Sequence, residues 1–136
     1  NQKKIGKNRK NEYEIKRFCS NGYNYPGLYS KFIKHISNDL NINHLVTYVD
    51  LRYATGNLYE KSNWILVETI NPSYMYTNYK YRYHKSKFKK DNLKKKYPNL
   101  DFNKTENTLM KELGYDRIWD CGKLKYEWKK TWHYGL

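Results

Sequence analysis

Apolar and polar positions along the chain fall into short segments with distinct periods. From Leu28 to Leu40 the large apolar residues are Leu28, Phe32, Ile33, Ile36 and Leu40. That spacing follows the helical period and predicts a helix with one buried face, with Lys31, Lys34 and Asp39 elsewhere on the wheel. Asn41 and Asn43 end it. Leu45 to Asp50 is apolar nearly throughout, as in a strand covered on both faces. Upstream, Glu12 to Cys19 sets Tyr13 and Ile15 against Glu14 and Lys16, which predicts a strand by alternation. Downstream of the turn at Gly56, Asn57 to Lys61 predicts a short helix and Trp64 to Ile70 a further strand.

The second half pairs locally. Tyr74 to Thr77 and Lys80 to Tyr83 flank Asn78-Tyr79 and predict a hairpin with alternating aromatics. Lys85 to Lys96 predicts one short basic helix, anchored by Phe88 and Leu93 and stopped by Pro98. Thr105 to Leu113 predicts another, with Leu109, Met110 and Leu113 inward and Gly114 as its C-cap. Tyr115 to Asp120 and Leu124 to Trp128 read as a closing hairpin around Cys121-Gly122. Residues 129–136 read as a loose tail and 1–11 as a basic arm. The expected fold is α+β, a mixed, mostly antiparallel sheet with flanking helices, in a single domain over residues 1–136.

Composition turns this outline toward an anionic partner. The chain carries 27 Lys and Arg against 13 Asp and Glu, a formal net charge of +14. A field of that size on one small domain favours nucleic acid. Lys, Asn, Tyr and Ile are also what AT-rich coding favours, so part of the lysine content has a compositional origin. Sixteen tyrosines supply rings for a core and hydroxyls for water or a partner. Cys19 and Cys121 lack zinc-finger spacing and read as two reduced, buried cysteines of a cytosolic protein, with a single disulfide between them as the alternative. No apolar run is long enough to span a membrane. The start, Asn1-Gln2-Lys3-Lys4, has no initiator Met and reads as cut or processed.

Two resemblances emerge from the wording. The segment NLYEKSNW, Asn57 to Trp64, resembles the N-x-LYEKxGF segment of GNAT-type N-acetyltransferases. The preceding order is similar as well. The resemblance implies that EYEIKRFC is the central strand, GLYSKFIKHI the helix after the acetyl-CoA loop, and HLVTYVD a next strand splaying away to open the cofactor cleft. It places the general acid on Tyr59 and the loop at Asn24, Gly27 and Tyr29. Of these, Gly27 matches the family pattern, and a tyrosine at 29 would crowd the phosphates. Across residues 5–128, the pieces KNEYEIKRFC, GLYSKFIKH, YVDLRYATGNLYEKSNW, PSYMY, YRYHKSKFKK and GYDRIWDCGKLKYE are similar to the C-terminal region of large phage proteins of homing-endonuclease type. That implies a GNAT-like core over residues 12–70, a mobile-element origin, an upstream nuclease domain or partner chain, and the cytoplasm of an infected host.

Three functional readings follow. The preferred one is nucleic-acid binding, DNA or RNA, without cofactor or metal. Arg82, His84, Lys85, Lys87, Lys89 and Lys90 stand beside Tyr79, Tyr81, Tyr83 and Phe88, and Lys94, Lys95 and Lys96 extend the patch. Lysines hold phosphates without sequence preference, and exposed tyrosines stack on unpaired bases. Lys3, Lys4, Lys7, Arg9 and Lys10 form a second basic arm. The bland alternative is a solvated lysine face around a buried aromatic stripe. A second reading is an acetyl-CoA-dependent N-acetyltransferase with Gly27 at the cofactor and Tyr59 as acid. A third is a Mg²⁺-dependent nuclease using Asp50, His84 and Asp120, against which stands the reading of a capping Asp, a histidine in a basic strand and an Asp in the 119–122 turn. Ser30 and Ser86 have no nucleophile-elbow context.

Overall fold

A computed structural model describes residues 12–134. The fold is α+β, with a mixed sheet, an antiparallel sheet and helices. The chain divides into two compact units. The first contains the residues up to Asn71 and those from Gly122 onward; the second is Pro72–Cys121.

The first unit is built on β1 (Glu12–Glu14), α1 (Leu28–Asp39), β2 (His44–Asp50), α2 (Asn57–Lys61), β3 (Ile65–Ile70), β7 (Lys123–Lys129) and α5 (Lys130–Tyr134). Its four-stranded sheet has the order β1-β2-β7-β3. β1 lies parallel to β2 with Tyr13 opposite Leu45, and β7 lies antiparallel to both β2 and β3. β2 is therefore interior to the sheet, and Leu45, Val46, Thr47 and Val49 are all buried. This is the environment its unbroken apolar run requires. β1 is shorter than its alternation predicts. Its pairing ends at Glu14 with one further bond, Ile15 N–H to the Val46 carbonyl at 2.9 Å, and Cys19 is exposed rather than buried.

α1 forms where the period places it, but its buried face is turned. Tyr29, Ile33 and Ser37 are inside, while Leu28, Phe32 and Leu40 are exposed. Ser37 can replace an apolar residue because its hydroxyl donates to the Ile42 carbonyl at 3.0 Å. The core joins Tyr29, Ile33, Ile42, Leu45, Val49, Trp64, Tyr126 and Trp128. Residues 130–134, expected as part of a loose tail, form the short helix α5.

The second unit contains β4 (Tyr74–Thr77), β5 (Arg82–His84), a 3₁₀ turn (Lys85–Phe88), α3 (Lys90–Lys96), α4 (Glu106–Glu112) and β6 (Asp116–Trp119). Its sheet has the order β5-β4-β6, antiparallel throughout. The closing hairpin expected across Cys121-Gly122 is not formed. β6 pairs with β4, and β7 enters the other sheet between β2 and β3. The 50 residues Pro72–Cys121 are thus inserted between two strands of one sheet.

The single basic helix expected over 85–96 is broken at Lys89, whose backbone is extended at φ −57° and ψ 146°. The cause is packing. Phe88 and Leu93 are five residues apart, which places them well off a common face on an unbroken helix. The break lets both enter the core with Tyr76, Leu109 and Met110. α4 starts on Thr105, whose hydroxyl accepts the Thr108 N–H at 3.2 Å. It ends with Gly114 N–H on the Lys111 carbonyl and Tyr115 N–H on that of Met110.

Candidate nucleic-acid interface

The hairpin β4–β5 carries the first group of predicted residues. Its turn spans Asn78 to Tyr81, four residues rather than two, because Thr77 pairs with Arg82. Thr77 Oγ1 accepts the Tyr79 N–H and donates to the Tyr81 carbonyl, both at 3.0 Å. Asn78 Oδ1 accepts the N–H groups of Lys80 at 3.2 Å and Tyr81 at 2.9 Å. Two short polar side chains so satisfy the turn, as Asx and Thr turns do.

The turn sorts the tyrosines. Tyr81 is 66% exposed and Tyr79 is 79% exposed. The Tyr79 hydroxyl donates to the Asp116 carboxylate, and this bond raises the phenol's pKa. Tyr83 belongs to the core instead. Its ring packs edge-on against Phe88 at 5.7 Å and Tyr115 at 5.8 Å.

The cations follow in order. Between Lys80 and Lys96 nine Lys and Arg stand against one acid, Asp91. Arg82, Lys87, Lys89, Lys94, Lys95 and Lys96 are exposed. Among the described residues the ion pairs involve Lys16, His35, His44, Lys104 and Lys125, and none involves a cation of this stretch. Lys87 and Lys96 instead lie over the rings of Tyr83 and Tyr97, and Lys94 over that of Phe102. Lys85 and Lys90 are committed inward. Lys85 Nζ donates to Ser73 Oγ at 2.9 Å, and Lys90 Nζ to the Phe102 carbonyl at 3.0 Å. The arm of Lys3, Lys4, Lys7, Arg9 and Lys10 lies outside the described residues.

Of the three residues assigned to a nuclease site, Asp50 and His84 serve local turns and Asp120 ties the end of β6 to the start of β4. Asp50 Oδ1 accepts the Arg52 N–H at 3.0 Å at the end of β2. His84 caps the 3₁₀ turn, its Nδ1 accepting the Ser86 N–H at 3.3 Å. Asp120 Oδ1 accepts the Ser73 N–H at 2.9 Å, and its own N–H returns to the Ser73 carbonyl. Among the described residues no group of three or more His, Cys, Asp or Glu is placed to hold a metal ion. Cys121, like Cys19, is a free, exposed thiol.

In the other unit, Tyr59 lies beside the end of the β1–β2 pairing. Its hydroxyl is 3.4 Å from Thr47 Oγ1, which also donates to the Ile15 carbonyl at 3.0 Å. The Thr47 hydroxyl has one proton and the carbonyl has none. With that proton on Ile15, Tyr59 O–H donates to Thr47. The Tyr59 ring stacks on Tyr126 at 5.5 Å and meets Trp64 and Tyr29 edge-on. Tyr29 is 5% exposed, and its hydroxyl is buried without a partner. Burial pushes its phenol far above the ordinary range. Tyr29 thus fills the core beneath the start of α1. Gly27, the residue before that helix, is left-handed at φ 74° with open space around its Cα.

No family model, curated protein or solved structure matches the chain. Among the described residues no helix is long and apolar enough to cross a membrane.

Proposed function

We propose that the chain is a nucleic-acid-binding module, contacting the phosphate backbone through the second unit. The observation that carries this reading is the run from Lys80 to Lys96. Its nine cations meet no carboxylate partner among the described residues, while the 3₁₀ turn and α3 hold most of them out in water. Like charges held this close repel one another, and a polyanion relieves that repulsion and gains by releasing its counterions. Phosphate contacts of this kind position a partner and carry no sequence information.

The test is binding of the full chain to a fluorescent oligonucleotide over a salt series. Affinity should fall steeply with salt. Replacing Lys87, Lys89, Lys94 and Lys95 together by Ala should weaken binding and reduce the slope of log K against log salt by about 3, near 0.7–0.9 per lost contact. Absence of binding at low salt, or an unchanged slope in the variant, rejects the reading. Lys85 and Lys90 are poor choices for this test, because their ammonium groups already hold the fold.

We infer further that the first unit is a GNAT-like scaffold in a phage protein of homing-endonuclease type, working in the cytoplasm of the infected cell beside a nuclease domain or partner chain. Support comes from the order β1, α1, β2 with β1 parallel to β2, as the resemblance implies, although β1 is a three-residue strand at the sheet edge and not the central one. A second reading, acyl transfer from acetyl-CoA, is favoured by one observation. The Tyr59 hydroxyl stands beside the end of the β1–β2 pairing, bonded to Thr47. Titration calorimetry with acetyl-CoA decides it: heat that is lost in Tyr59→Phe or Gly27→Val keeps the reading, and no heat ends it.

A further inference from the structure

We propose that the β4–β5 turn selects unpaired nucleotides, with Tyr79 and Tyr81 as stacking platforms for bases; this rests on the nucleic-acid reading above. The lysines of the 3₁₀ turn and α3 do not distinguish a duplex from a single strand, since both present phosphates. The two tyrosines do. A duplex hides the faces of its bases, and an unpaired strand offers them.

Three features of the turn point this way. The first is exposure. Rings that are 79% and 66% in water contribute little to the core beneath them. The second is backbone conformation. Tyr79 has φ 69°, in the left-handed region that Gly or Asn occupies at less cost. An aromatic residue held there at the tip of a hairpin is a position where local stability has been given up, and such positions concentrate at binding sites. The third is rigidity. The N–H groups of Tyr79, Lys80 and Tyr81 are all taken by Thr77 or Asn78, and the Tyr79 hydroxyl is tied to Asp116. The rings therefore lose little freedom when a base settles on them.

The order of residues completes the fit. Tyr79, Lys80, Tyr81 and Arg82 alternate ring and cation. A single strand alternates base and phosphate along its length. Lys80 and Arg82 are exposed and meet no carboxylate among the described residues, so both are placed to accompany the phosphates.

The experiment compares three labelled probes of equal length at one low salt concentration: oligothymidylate, the same backbone without bases, and a duplex. The full chain should bind oligothymidylate about tenfold or more tighter than the base-free strand, from stacking on two rings. Tyr81→Ala should remove about tenfold of affinity for oligothymidylate and leave the base-free strand within twofold. Tyr79→Ala should do the same, and Tyr79→Phe should retain most of the affinity, since it loses the Asp116 bond and keeps the ring. Circular dichroism on each variant separates a lost ring from a lost fold, and Tyr81→Ala leaves the Asp116 bond in place. Equal affinity for the base-bearing and base-free strands, or a duplex bound as tightly as oligothymidylate, overturns the inference while leaving phosphate binding standing. No binding to any of the three probes overturns both.

Discussion

Replacing Gly56 by alanine tests the packing that holds Tyr59 in place. Gly56 precedes α2 at φ 90°, and a Cβ built on it falls 2.5 Å from the Tyr126 hydroxyl and 3.0 Å from two carbons of that ring. Tyr126 has no room to retreat. It is fully buried, its hydroxyl donates to Glu60 Oε1 at 2.9 Å, and its ring stacks on Tyr59. Two costs therefore add. Holding a residue with a Cβ in the left-handed region costs about 1 kcal/mol, and overpacking a closed core adds about 1–3 kcal/mol. The expected destabilisation is about 2–4 kcal/mol. Gly27 supplies the control, since it is left-handed at φ 74° with nothing within 4 Å. Gly27→Ala should show only the conformational cost, about 1 kcal/mol. Urea denaturation of both variants, followed by tryptophan fluorescence, measures the difference. Adding Tyr126→Phe to Gly56→Ala removes the nearest atom and should recover part of the loss as a coupling energy. Equal destabilisation by the two glycine substitutions, or no coupling to Tyr126, would refute the close approach and with it this account of how Tyr59 is positioned.

Other outcomes follow from buried polar groups. Tyr29→Phe should stabilise the chain by about 1 kcal/mol in urea denaturation, because it removes a buried hydroxyl that has no partner. Stability should also fall as pH rises above about 10. There the unfolded phenols lose protons that Tyr29 and Tyr76, the latter pushed up to about 12 by burial, keep when folded. Tyr29→Phe should make that decline shallower in a series of melts from pH 9 to 11. On the acid side, burial acts to raise the Glu127 carboxyl, but the Lys125 hydrogen bond at 3.0 Å and His44 outweigh it and hold it low. The stability it contributes is present above the ordinary carboxylate range and is lost as pH falls through its folded value. Glu127→Gln should lower stability at pH 7 and flatten the acid limb of the same melts; an unchanged limb would count against the depressed carboxyl. Phe88→Ala should cost about 3–5 kcal/mol, since Phe88 seats the basic 3₁₀ turn in the core.

Much of the candidate site was legible because charge and aromatic content are properties of residues, not of their arrangement. The dense lysines, the tyrosine alternation and the hairpin were all visible. Which tyrosine faces inward was not. Tyr83 is drawn into the core by Phe88 and Tyr115, and Tyr81, expected in the strand, lies in a four-residue turn where a two-residue one was expected. The two extra turn residues leave the face of each strand residue unchanged, because side chains alternate with period 2, but they move Tyr81 out of the strand and into the loop and set Tyr83 opposite Tyr76. Likewise Asp50, His84 and Asp120 have the side chains of a metal site, yet Asp50 and His84 make bonds two residues along the chain, of the kind a local turn anticipates, and Asp120 makes a cross-strand bond to Ser73 that no local pattern reveals.

The sequence by itself determined the α+β class, the positions of most elements and the basic character of residues 80–96. Those depend on periodicity and charge, which are local. Tertiary structure alone decided the partnership of strands. β6 and β7 are neighbours in the chain and read as a hairpin, yet β6 completes one sheet while β7 joins Tyr126 and Trp128 to Thr47 and Leu45 of β2, about eighty residues earlier. An alternating strand states which face it buries, not which edge it meets. The choice falls to the pairing that buries Leu45, Val49, Tyr126 and Trp128 in one core, a contact between segments whose separation no local pattern records.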